Sequence, residues 1–217
     1  MLTVAEAVRQ RRSTRSFQRT PVSEQMILEM LEAARLAPSA SNSQPWRYVV
    51  VTDAEEKREL RRLCFNQPFI EEAGVVFVVC ADLSSYSGRS RLKRRQEAVD
   101  AGVLPASSIN DPVFRQFVDS ADEADLSMHI TPATANTYIA TEHIVLMAAA
   151  LGLGSCWVGA IRDREAIKRL LGIPEEIMLL GLVVVGYANG TPPFRPKLSL
   201  EDILLRPFPA EEGADQG

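Results

Sequence analysis

The sequence predicts a three-layer protein of the α/β or α+β class, a buried sheet held between layers of helices. Three observations predict it. Residues 75–81 (VVFVVCA) form a continuous apolar run of strand length, the pattern of a strand covered on both faces. Further strand-like runs at 46–52, 155–160 and 179–187 are separated by stretches with helical periodicity. The helix expected over 133–151 is apolar all round in its last half, which marks a central helix.

Taken in order, residues 2–12 place Leu2, Val4, Ala5 and Val8 at helical spacing behind a possible cap at Thr3. A second helix begins at Ser23, which with Gln25 and Met26 just misses a capping box. Met26, Ile27, Met30, Leu31 and Ala34 form its apolar face, and Pro38 stops it. Residues 37–45 are a polar loop rich in Ser and Asn. The strand 46–52 (WRYVVVT) follows, and Asp53 caps a charged helix reaching about Leu63. A last helix is expected over 164–171. The long stretch 84–131 carries a basic run at 89–95 (RSRLKRR), then acidic residues at 119–125, with apolar residues enough for one or two amphipathic helices. Such a stretch suits a lid or a partner contact. The tail from Pro207 is expected to fray.

With 217 residues, 46% of them hydrophobic and 24% charged, the chain can bury enough surface to exclude disorder as its main state. Lys and Arg total 24 against 28 Asp and Glu, a net charge of −4 that weighs against a dedicated nucleic-acid binder. Cys64, Cys80 and Cys156 stand far apart, offer no disulfide scaffold and suit a reducing compartment. The basic N-terminus has no apolar segment of a secretory signal. The one long uncharged stretch, near 144–161, is broken by glycines and reads as a helix-to-strand junction, so no membrane span and a cytoplasmic location are expected.

Common catalytic motifs are missing. Gly152-x-Gly154 lacks a third glycine and precedes a strand; Gly154 and Gly159 have phosphate-loop spacing but are followed by Ala160 and Ile161. His129 and His143 with scattered cysteines assemble no metal set, and His143 reads as a core or interface histidine. Asn189-Gly190-Thr191 is a turn signal. What is present is Arg11-Arg12-Ser13-Thr14-Arg15-Ser16-Phe17, three guanidiniums and neighbouring hydroxyls at a helix end. A phosphate monoester would use such a set, although a kinase substrate or a solvated helix end has the same composition. The loop 37–46 (APSASNSQPW) then delivers small residues and amide or hydroxyl donors directly into a strand. The basic run 89–95 fits a solvated helix face, with an anionic-partner or nucleic-acid surface as the other reading.

Together the segments at 11–17 and 37–46 resemble the FMN-dependent nitroreductase family, which opens with a basic R-x-S-x-R/K-x-F stretch and continues with P-S-x-x-N-x-Q-P-W. Asn66-Gln67, the segment 149–159 (AALGLGSCWVG) and Pro193-Phe194-Arg195-Pro196-Lys197 match further family segments in order. The resemblance covers nearly all of the chain except 84–131.

The resemblance implies one α+β domain over 1–217. It would have a mainly antiparallel central sheet flanked by helices, a lid or insertion at about 84–131, and an intertwined homodimer holding FMN at its interface. By the same resemblance Arg11, Arg12, Ser13, Arg15, Arg195 and Lys197 would hold the phosphate, and Gln67 would meet the flavin pyrimidine. Val158 and Gly159 would present backbone beside N5, while Pro38, Ser39, Ala40 and Asn42 would line the ring from the neighbouring subunit. Departures from relatives are Phe69 where some carry Lys, Val158 in place of an acidic residue, and the long insertion. The implied activity is hydride transfer from NADH or NADPH through flavin N5 to a small electron-poor acceptor such as a nitroaromatic or quinone. No protein side chain is required as catalyst, and donor and acceptor alternate (ping-pong). Flavin-fragmenting or dehalogenating chemistry on the same fold is the alternative.

Overall fold

The computed structural model describes residues 2–206; the expectation for the tail from Pro207 lies outside them. The chain runs α1 (Val4–Gln10), α2 (Glu24–Arg35), β1 (Trp46–Val51), α3 (Ala54–Leu63), α4 (Pro68–Glu72) and β2 (Val75–Asp82). It continues through α5 (Gly88–Asp100), α6 (Pro112–Glu123), α7 (Ser127–Ala150), β3 (Gly154–Val158), α8 (Arg164–Leu170), β4 (Ile177–Gly186) and α9 (Leu200–Ile203). The sheet order is β1-β2-β4-β3, and every neighbouring pair is antiparallel. The fold is α+β, which resolves the open choice of class.

The central strands explain the continuous apolar run. Along β2 successive side chains alternate between two cores. Val76, Val78 and Cys80 pack with Leu60, Ile70 and Ile167 beneath α3, α4 and α8. Val75, Phe77 and Val79 pack with Met30, Ala34, Ile144 and Ala148 beneath α2 and α7. An antiparallel sheet buried on both faces carries the same sequence pattern as a parallel one, so pattern alone did not reveal the pairing.

Caps account for several boundaries. Thr3 and Glu6 form a reciprocal capping box on α1, Ser23 Oγ accepts from Met26 N–H at 3.3 Å, and Asp53 Oδ1 accepts from Glu55 and Glu56 N–H at 2.9 Å. Elsewhere the structure corrects the boundaries. Residues 40–42 form a short 3-10 turn inside the polar loop, and α4 is an added helix with Pro68 in its first turn. β3 ends at Val158 rather than at 160. Helix α7 starts at Ser127 rather than near 133 and contains Pro132 in its second turn. The stretch 84–131 holds α5 and α6 packed on each other, with Gly88 N–H donating to Asp122 Oδ1 at 2.7 Å.

The three cysteines are buried, and burial pushes the Cys64 thiol up to about 11 and Cys80 to about 12. Among the described residues no helix is long and apolar enough to cross a membrane, and no three potential ligands cluster as a metal site.

Candidate functional site

The two cationic stretches meet where β3 begins and β4 ends. Ser13 makes a parallel bridge to Ser155, and Thr14 N–H donates to Ser155 O at 2.9 Å. Phe17 then bridges Ala188, Gln18 N–H donates to Tyr187 O at 2.8 Å, and Asn189 N–H donates to Ser16 O at 3.0 Å. The chain after α1 is therefore laid as an extended ribbon between the start of β3 and the residues leaving β4. Because those residues continue into 189–197, Arg195 and Lys197 arrive beside Arg11 and Arg15.

Two glycines permit this approach. A Cβ on Gly154 would stand 2.5 Å from Thr14 Oγ1, so only glycine lets the ribbon lie against β3. Gly152 has a φ of 79°, the left-handed turn by which the chain leaves α7 for β3.

The result is a cavity of about 480 Å³ lined by Arg11, Arg12, Ser13, Arg15, Arg195 and Lys197, together with Thr14, Ser16, Asn189, Thr191 and Phe194. Among the described residues none of its five cations forms an ion pair. Arg12 is partly engaged: its Nη1 donates to Arg9 O at 2.6 Å and Arg11 O at 2.8 Å, and its guanidinium lies 4.9 Å from the Phe194 ring centroid. Burial raises the Cys156 thiol above its ordinary value, against the opposing pull of Arg15, Arg11 and Arg195, so three separate guanidiniums act on one point of β3. At an effective dielectric of about 20 and a separation of about 4 Å, each unit charge pair is worth roughly 4 kcal/mol before desolvation. A doubly charged anion fits this basin, with the hydroxyls of Ser13, Ser16 and Thr191 available to its remaining oxygens.

The other expected site residues are distributed around this basin rather than in it. Val158 and Gly159 lie at the far end of β3, roughly 10 Å along the strand from Ser155. There they line a hollow of about 380 Å³ with Tyr138, Glu142, Trp157 and Gly181. The space beyond Gly159 is open, so its backbone can be approached closely, and Trp157 meets Tyr138 edge-on with ring centroids 5.2 Å apart. Pro38, Ser39, Ala40 and Asn42 are absent from the basin's lining within one chain. Their loop is braced by Ser39 Oγ, which accepts from Gln44 N–H at 3.0 Å, and by Asn136 Oδ1, which accepts from Ala40 N–H at 2.9 Å. Gln67 also stays outside the basin; its amide donates to Cys64 O at 2.9 Å.

Thr14, Asn189 and Thr191 were missed by motif reading. Thr14 is buried against Gly154, a contact that nothing in the arginine run itself signals. The basic run on α5 is in part packing, while Arg89 and Lys93 stay exposed on a solvated face. Arg91 lies 4.0 Å from the Phe117 ring centroid, Arg95 lies 4.3 Å from that of Phe114, and Arg94 pairs with Glu97 at 2.6 Å.

A sequence model of the Nitroreductase family matches residues 8–187, from within α1 to just past β4. A Thermus thermophilus protein named NADH dehydrogenase is 36% identical over 209 residues, covering 94% of this chain and 96% of its own. The Bacillus subtilis protein named FMN reductase (NADPH) is 29% identical over 196 residues, with 88% and 70% covered. Among solved structures, NfrA1 of B. megaterium has a TM-score of 0.72 at 26% identity, covering 94% of this chain and 73% of that one. A protein from Exiguobacterium sibiricum 255-15, crystallised in complex with FMN, has a TM-score of 0.82 at 24% identity, with 94% and 97% covered, a likeness of fold. From the ribbon beside β3 to the end of β4, in sequence and in architecture, this chain belongs to the nitroreductase family.

Proposed function

We propose that the chain is an FMN-dependent NAD(P)H oxidoreductase acting on a small electron-poor acceptor. The observation that carries this reading is the convergence of Arg11, Arg15, Arg195 and Lys197 at the start of an edge strand whose other end opens at Val158 and Gly159. Both ends suit the two ends of one ligand, a phosphate at the cationic basin and a flat ring against open backbone. Relatives named NADH dehydrogenase and FMN reductase (NADPH), and a structural neighbour complexed with FMN, agree with it.

When bound, FMN supplies hydride transfer between a reduced nicotinamide and an acceptor, chemistry the protein need only orient and tune. The guanidiniums and hydroxyls of the basin would bind the phosphate, with Arg offering paired donors. Backbone at Val158 and Gly159 would face the ring edge, where the absence of a Cβ at Gly159 allows contact. We read donor and acceptor as using the same face in turn, with nitroaromatics and quinones as the acceptor class.

The dimer belongs to the same proposal. Residues of α1, of α2 and its C-cap, and of α7, among them Val4, Leu36, Leu146 and Met147, line an apolar groove of about 420 Å³ that also contains His143. Val4 is 78% exposed and Leu36 is 65% exposed, a surface suited to burial against a second copy. Pairing would bring the loop around Pro38, Ser39, Ala40 and Asn42 toward the partner's basin.

The test is the visible spectrum of the purified protein with FMN, before and after NADH or NADPH under anaerobic conditions. Bound oxidised flavin that bleaches with either nucleotide and recovers when a quinone is added supports the proposal. Failure to retain FMN, or loss of the ring system on reoxidation, defeats it. Parallel initial-rate lines at varied donor and acceptor test the alternation.

A further inference from the structure

The loop expected to line the flavin ring of a neighbouring subunit is unusual in its backbone. Ser41, Asn42 and Gln44 have φ values of 54°, 52° and 48°, a left-handed region that L-residues seldom enter three times within four positions. Such a turn persists where its surroundings over-determine it. Two side chains from outside the loop do so.

Asn136, buried on α7, uses all of its amide. Its Oδ1 accepts from Ala40 N–H at 2.9 Å, while its Nδ2 donates to Tyr86 Oη at 2.8 Å and to Pro132 O at 2.7 Å. Tyr86 opens the lid segment, is 3% exposed and donates its own hydroxyl to Pro132 O at 3.1 Å. From α5, Arg91 Nε donates to the Tyr86 main-chain carbonyl at 2.9 Å, and its guanidinium lies 5.7 Å from the Tyr86 ring centroid. The Ser43 hydroxyl, buried and without a well-formed hydrogen bond, lies against the same phenol. Asn136 therefore grips the start of the turn and Tyr86 faces its end. A buried amide with all of its hydrogen bonds made, as Asn136 has, rigidifies what it touches.

We propose that Asn136 and Tyr86 form a clamp that presets the loop at residues 39–44 for the flavin ring, making both of them positioning residues and tying the lid to the cofactor site. The proposal rests on the flavin reading given above. Its consequence is that a lid residue outside the cationic basin sets ring affinity.

The test uses the full chain with Asn136→Leu and the near-isosteric Tyr86→Phe, read by hydrogen-exchange mass spectrometry of the loop peptide without ligand and by FMN titration. In Asn136→Leu, loop exchange should accelerate and FMN affinity should fall about tenfold, the scale of one lost hydrogen bond with its partner left unsatisfied. The flavin absorption envelope should also move toward that of free FMN. Tyr86→Phe should shift all three readouts in the same direction by roughly threefold or less. Arg15→Ala should weaken FMN while leaving loop exchange at the unmodified rate, which separates phosphate binding from ring positioning. Wild-type loop exchange in both clamp variants overturns the proposal, as does faster exchange with unchanged FMN affinity and spectrum. If the unmodified chain binds no FMN, the functional reading falls, and the exchange arm still decides whether the clamp exists.

Discussion

The arginines at residues 11–15 and those at 89–95 occur at similar density, and the fold surrounds them differently. On α5, Arg91 and Arg95 lie over Phe117 and Phe114, and Arg94 meets Glu97. Beside β3, Arg11 and Arg15 have no carboxylate partner among the described residues, and the chain returns Arg195 and Lys197 to the same place. Cationic density marks a ligand site only where the fold withholds the counter-groups. Where aromatic faces and acids are supplied within the chain, the same residues serve as packing.

This contrast can be broken experimentally. Replacing Arg15 and Arg195 together with Ala should weaken FMN binding by about a hundredfold or more, since each charged hydrogen-bond set is worth roughly 1.5–3 kcal/mol. Equilibrium dialysis measures it, and undiminished affinity would erase the distinction between the two stretches. Gly154→Ala should push Thr14 and its flanking arginines off β3, reducing FMN affinity about tenfold with little change in the far-UV circular dichroism.

On the other side of the comparison, Arg95→Ala should cost about 0.5–1 kcal/mol in urea unfolding through its lost aromatic contact, with FMN affinity retained. The mildest test concerns His129, which lies beside Tyr86 with ring centroids 6.0 Å apart. Burial first, then the Arg91 charge, hold its imidazole below the ordinary value of 6.5. As pH falls through the histidine range the unfolded chain takes up this proton first, so the folded state loses stability on acidification. His129→Gln should flatten that loss when urea midpoints at about pH 7.5 and about pH 5.5 are compared.

Much of the frame was legible residue by residue. Asp53 announced a helix because a carboxylate at that position satisfies free amides, and β2 announced a doubly covered strand because none of its positions is polar until Asp82. Helix α4 was hidden because it has only five residues, too few for periodicity to register. The early start of α7 was hidden by Pro132, whose carbonyl the fold uses to accept from Tyr86 and Asn136. For the candidate site, the motifs named residues that the structure places at both ends of β3. They did not show that Gln67 turns its amide to Cys64, or that Arg12 spends part of its guanidinium on neighbouring carbonyls.

Local chemistry along the chain indicated most of the helices and strands, the doubly covered strand β2, and a cationic segment whose side chains suit a phosphate. Those outcomes depend on neighbours a few residues apart, and the amino acids specify them directly. Tertiary structure alone decided that residues near both ends of the chain share one basin, because that depends on the bridges of Ser13 to Ser155 and of Phe17 to Ala188. It likewise decided that Arg91 and Arg95 of α5 lie over aromatic rings, since those rings come from α6, whose packing no local pattern encodes.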